Sequence, residues 1–120
     1  MTESQAADAA PGTHRPVALS DADDLDAFVA ANDLALVEFY TDGCGICASM
    51  EPVLGTVAKA SDAAVGLVNP RDDPPLVDRF DVQSVPLLVV FVEGEPVGRL
   101  ADGFQGVEDV LAFVEDHQPA

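Results

Sequence analysis

The chain has 120 residues, 48% of them apolar, which is enough length and hydrophobic content for one domain around one core. Asp and Glu number 22 against 5 Lys and Arg, and the resulting net charge of −17 opposes binding to nucleic acid or to an anionic membrane. No apolar stretch approaches the length of a membrane span, and residues 1–15 lack the basic and then apolar order of a secretory signal.

Residues 1–16, rich in Ala, Asp, Thr, Gly and Pro without periodicity, are expected to be a disordered acidic tail, leaving residues 17–120 as the folded domain. Val17-Ala18-Leu19 reads as a short edge strand. Ser20 reads as the N-cap of a helix with Asp21, Asp23 and Asp24 in its first turn and Leu25, Phe28 and Val29 on one face, ending at Asn32-Asp33. Leu34 to Tyr40 is apolar on both alternating faces except at Glu38, the pattern of a central strand covered on both sides, so Glu38 is expected to be buried.

Cys44-Gly45-Ile46-Cys47 follows, at the start of a helical pattern carried by Ile46, Met50, Val53, Leu54 and Val57 to about Ala60. Pro52 interrupts that pattern and should kink the helix just beyond the cysteines. A thiol at a helix N-terminus faces unpaired backbone N–H groups and the positive end of the helix dipole, which favour the thiolate, the form that attacks. The second cysteine, at i+3, lies on the same side and can close a small disulfide ring after the first has attacked another disulfide. Structural zinc would need four ligands, and the other soft candidates, His14 and His117, lie in the tail and near the chain's end, so metal is expected only if shared between chains. A purely structural disulfide at this spacing would constrain the unfolded chain little.

Ala64 to Val68 reads as a second buried strand. Residues 69–75, with three prolines, lead into a short helix through Phe80. Leu87 to Val92 is a third apolar run, and Glu93-Gly94-Glu95-Pro96 turns it back into an edge strand from Val97 to Ala101. Val107, Val110, Leu111 and Val114 mark a final helix with Glu108 and Asp109 in its first turn. His117, in its last, reads as a surface residue that complements the dipole. The fold class is α/β, a central mixed sheet flanked by helices on both faces, with the dithiol at the carboxyl end of a central strand.

From Val17 to Glu115 the chain resembles the thioredoxin family. The resemblance is carried by Leu36-Val37-Glu38-Phe39-Tyr40, by Cys44-Gly45-Ile46-Cys47 with Pro52 five residues on, by Val85-Pro86 before a buried strand, and by Gly94 and Gly103. It implies a thioredoxin-like fold and a role for each residue: Cys44 as the exposed nucleophile, Cys47 as the buried resolving thiol, and Glu38 as the acid that moves a proton to or from Cys47. It also implies that Val85 and the cis-proline Pro86 pair with an extended substrate segment in a shallow groove that Gly103 lines, with Gly43 at the approach to Cys44. Gly43 stands where the family usually has Trp, and Tyr40 where another Trp is common. Ile46 replaces a proline, Ala48 a basic residue, and Leu67 the lysine that often accompanies the buried acid.

The expected activity is reduction of protein disulfides by a Cys44/Cys47 dithiol–disulfide cycle, without a bound cofactor or metal, with electrons from a reductase of the thioredoxin-reductase type. The other readings are a redox-sensing partner-binding protein with little generic turnover, and a carrier of a metal or cluster held between two chains. Two cysteines at exchange spacing and none for a stapling framework point to a reducing cytoplasm, and the protein is expected to be a monomer. The acidic surface points to a halophilic one, since at about 1 M salt the Debye length is near 3 Å and self-repulsion is screened.

Overall fold

The computed structural model describes residues 15–118, and the expected N-terminal tail lies almost wholly outside them. Five strands and four helices follow one another as β1 (Val17–Leu19), α1 (Ala22–Ala31), β2 (Leu34–Phe39), α2 (Gly45–Ala60), β3 (Ala64–Val68), α3 (Pro75–Arg79), β4 (Leu87–Val92), β5 (Glu95–Leu100) and α4 (Val107–His117), with a 3-10 turn at Pro70–Asp72. The sheet order is β1-β3-β2-β4-β5. β3 runs parallel to β1 and β2, while β4 is antiparallel to β2 and β5 to β4. This is the α/β mixed sheet that the pattern implies.

Every residue of β2 is buried, because strands flank it on both edges and helices cover both faces. Its alternation sorts the core in two. Ala35, Val37 and Phe39 face a cluster with Leu25, Phe28, Leu76 and Phe80 of the α1 and α3 layer. Leu34 and Leu36 face Met50, Leu54, Val57, Val110 and Val114 of α2 and α4. By the same period of two, Glu38 points to the α2 side.

Three expectations change in detail. The N-cap of α1 is Asp21, not Ser20: the Asp21 carboxylate accepts from Asp24 N at 2.9 Å, and Asp24 in turn accepts from Ser20 N at 2.8 Å. The helix α2 runs past Pro52 to Ala60 as expected, since a proline removes only one helical hydrogen bond. β5 opens at Glu95 and closes at Leu100. Glu93 and Gly94, both at positive φ, make the two-residue turn of a hairpin, and Pro96 is tolerated at an outer strand beside the register shift at Val90/Phe91. His117 is half-buried. Its Nδ1 lies 2.8 Å from Phe113 O and its ring closes on Gly98, where any Cβ would collide with it.

Candidate active site

Tyr40 N donates to Val68 O at 3.0 Å, extending the β2–β3 pairing one residue and fixing where the chain leaves the sheet. A turn closed by Cys44 N on Thr41 O at 3.4 Å then delivers Cys44 to the N-cap of α2. Gly43 sits in this turn at φ +82, with open space where a Cβ would stand. Room is therefore no obstacle to a side chain there, but the left-handed backbone is.

Cys44 and Cys47 form a disulfide with their Cα atoms 5.2 Å apart. The Cys44 sulfur acts as the capping acceptor, with Cys47 N donating to Cys44 Sγ at 3.2 Å. That N–H is one of the free donors of the first helical turn, and it stabilises negative charge on Cys44 Sγ. The two thiols differ in access: Cys44 is partly exposed, and Cys47 is 3% exposed beneath it.

Behind the pair lies a cavity of about 240 Å³, lined by Glu38, Tyr40, Asp42, Gly43, Cys44, Cys47, Glu51 and Leu67 among others. Glu38 is 1% exposed, and its Oε2 has no hydrogen-bond partner. Burial first, and the negative charge of Glu51 second, push its pKa from the ordinary 4.5 up to about 8. The lining residues include no Lys or Arg to oppose that, Leu67 standing beside Glu38 in the sheet register. Burial, followed by the charges of Asp42, Asp72, Glu51 and Glu38, also raises the pKa of Tyr40 and keeps its hydroxyl protonated.

The remaining candidate residues gather at the same end of the sheet without lining that cavity. The Val85–Pro86 bond is cis, and the next residue, Leu87, pairs with Phe39 at the end of β2. Leu100 pairs with Leu88, so the loop holding Gly103, at φ +79, leaves β5 at that end too. Gln105 N donates to Met50 Sδ at 3.4 Å, which ties this loop to α2 one turn beyond Ile46. Ile46 and Phe104, 48% and 52% exposed, are large apolar side chains left at the surface.

Comparison with known proteins agrees with this geometry. The sequence model of the thioredoxin family matches residues 16–116. The chain belongs to the thioredoxin family. A thioredoxin of Chlamydia caviae is 30% identical over 97 residues, covering 80% of this chain and 93% of its own. A thioredoxin of Mycobacterium tuberculosis is 32% identical over 93 residues, covering 76% of this chain and 79% of its own. Among solved structures, a mutant thioredoxin from Halobacterium salinarum NRC-1 superposes with a TM-score of 0.84 at 31% identity, covering 91% of this chain and 96% of its own. Membership and the Cys44–Cys47 disulfide make this protein a thiol–disulfide oxidoreductase that reduces protein disulfides. Like the family at large it works on disulfide-bearing proteins and with a reductase. Neither the redox-sensing reading nor the shared-metal reading finds support in these comparisons.

Sequence reasoning missed two features of the site. Glu51 was legible in principle, since i+4 from Cys47 puts it on the same helical face, but nothing in the sequence marks the cavity it shares with Glu38. Phe104 gave no signal beyond being an apolar residue in a loop.

Glu38 also couples stability to pH. Its folded pKa lies above the unfolded value, so the native state binds more protons between about pH 4.5 and 8; this contribution is whole below that window and lost as pH rises through it. Glu38→Gln, which stays neutral, should therefore gain on the wild type between pH 4.5 and 9. The gain should be on the order of a few kcal/mol, each pH unit between the two values corresponding to about 1.4 kcal/mol. Chemical denaturation of both proteins at the two pH values measures it, and a difference that does not change with pH would contradict the burial of an ionisable acid.

Proposed function

We propose that Cys44 is the attacking thiol, Cys47 the resolving thiol, and Glu38 the group that exchanges a proton with Cys47. The carrying observation is the unequal placement of the two sulfurs: one caps a helix and is partly exposed, and the other is buried and lines the same cavity as Glu38, whose Oε2 has no hydrogen-bond partner. Cys44 thiolate attacks a substrate disulfide, forming a mixed disulfide and releasing the first substrate thiolate. Cys47 gives its proton to Glu38 and attacks Cys44 Sγ, and the second substrate sulfur leaves with the electron pair. Two electrons pass to the substrate, and the protein is left oxidised at Cys44–Cys47. With a pKa of about 8, Glu38 is close to the ordinary thiol value of about 8.5, so neither direction of transfer is steeply uphill.

An extended peptide beside Cys44 would lie along Val85 and Pro86 and over Gly103, with Gly43 leaving the approach open. The sheet register supports this by bringing the ends of β2, β4 and β5 together there. A thioredoxin-reductase-type donor would restore the dithiol at the same face. The reading includes a monomer in a halophilic cytoplasm, supported by the net charge of −17 and the likeness to a halophile's thioredoxin. No described helix is long and apolar enough to cross a membrane.

Cys47→Ser should still attack and then stall, accumulating a mixed disulfide on Cys44 that mass spectrometry detects, while Cys44→Ser should trap nothing. The opposite pattern would reverse the assignment of the thiols. For the surface charge, the denaturation midpoint should rise steeply between about 0.05 M and above 1 M salt, as repulsion is screened. A midpoint that is flat across that range would remove the halophilic reading and leave the thiol chemistry untouched.

A further inference from the structure

The cavity behind the disulfide holds a second carboxylate that the thiol chemistry above leaves unused. Glu51 stands one helical turn beyond Cys47 on α2 and lines the same cavity as Cys44, Cys47 and Glu38. The two acids differ in access, since Glu38 is enclosed and Glu51 reaches solvent. In the sheet Glu38 is flanked by Leu67 of β3 and Leu88 of β4, neither of which carries charge. The titratable groups that share its cavity are Cys44, Cys47 and Glu51 from α2 and its cap, and Tyr40 and Asp42 from the segment joining β2 to α2. Asp72, in the turn after β3, acts on Tyr40.

A charged carboxylate that faces one cavity with an enclosed one, without a cation between them, hinders the ionisation of the enclosed one. Because Glu51 is at the surface, its field is open to screening by salt. The Debye length falls from about 10 Å at 0.1 M to about 3 Å at 1 M, so the repulsion is strong in dilute solution and weak in brine. We propose that Glu51 is a positioning residue for the resolving step: acting through Glu38 across the cavity they share, it makes proton transfer from Cys47 depend on ionic strength. In dilute solution Glu51 adds to the burial that keeps most of Glu38 protonated, so a smaller share of it can accept the Cys47 proton at neutral pH. In concentrated salt a larger share of Glu38 is ionised, Cys47 thiolate forms faster, and the substrate sulfur is expelled sooner. The inference rests on Glu38 as the proton acceptor, the reading proposed above.

The test is the pH profile of the resolving step, followed by rapid mixing of reduced protein with a peptide disulfide and timing of the second thiol released. Wild type, Glu51→Gln, Glu51→Asp and Glu38→Gln are compared at about 0.05 M and about 2 M salt, conditions that span weak and near-complete screening. In the wild type the rising limb should move to lower pH with salt. The rate at neutral pH should then rise about threefold, the factor that half a pH unit gives. Glu51→Gln should show the shifted limb already in dilute salt and move less than half as far on adding more, while Glu51→Asp should keep the wild-type response. Glu51 is exposed, so these variants leave the core intact. A Glu51→Gln profile that responds to salt as the wild type does overturns the role of Glu51 alone, provided Glu38→Gln abolishes the limb. A limb that survives in Glu38→Gln overturns the proton acceptor and this inference with it.

Discussion

A carboxylic acid enclosed on the central strand is the constraint on which the site depends. Glu38 occupies the position in β2 where the alternation calls for another Leu, facing α2 with Leu34 and Leu36. Burying an oxygen with no hydrogen-bond partner carries a penalty of about 1–3 kcal/mol, which a purely structural sequence would shed by substituting an apolar residue. The penalty keeps the acid near the proton affinity of a thiol, and α2 sets a thiol on the same cavity. Strand, turn and helix thus place a buried carboxyl, a buried sulfur and a partly exposed sulfur around one cavity.

The helix end contributes the second asymmetry. Cys44 and Cys47 are the same chemical group three residues apart, and only their placement distinguishes them. As N-cap, Cys44 Sγ accepts from Cys47 N, whereas Cys47 lies within the first turn and is turned into the core. The turn before it needs a left-handed residue, and Gly43 supplies one in place of the family's aromatic. Beyond the turn, Ile46, two residues from Cys44, and Phe104, in the loop tied to α2, leave apolar surface in a chain otherwise crowded with carboxylates.

Much of this was legible in the sequence because periodicity and burial tell the same story in β2, β3 and β4. The all-apolar run at Leu34 to Tyr40 with one acid placed Glu38 in the centre of the sheet, and the cysteine spacing placed the thiols at a helix start. What the sequence left open depends on contacts between distant segments. Ser20 and Asp21 are both good caps, and the choice falls to whichever side chain meets Asp24 N. His117 reads as a surface cation until Gly98, on another strand, leaves the space for it to pack. The cavity joining Glu38 to Glu51 exists because β2, its exit loop and α2 meet there, which no local pattern records. For the same reason Leu67, a plain core residue in the sequence, matters electrostatically: it stands beside Glu38 where the family often has a lysine.

The central claim is that placement alone makes two identical thiols chemically different, and selective alkylation tests it most directly. The fully reduced protein is treated with a limiting amount of a thiol-directed reagent at neutral pH, and the modified position is read by peptide mass spectrometry. The account predicts that Cys44 is modified first, with Cys47 reacting only when the protein is unfolded. Equal labelling of both in the folded protein, or preferential labelling of Cys47, would contradict it.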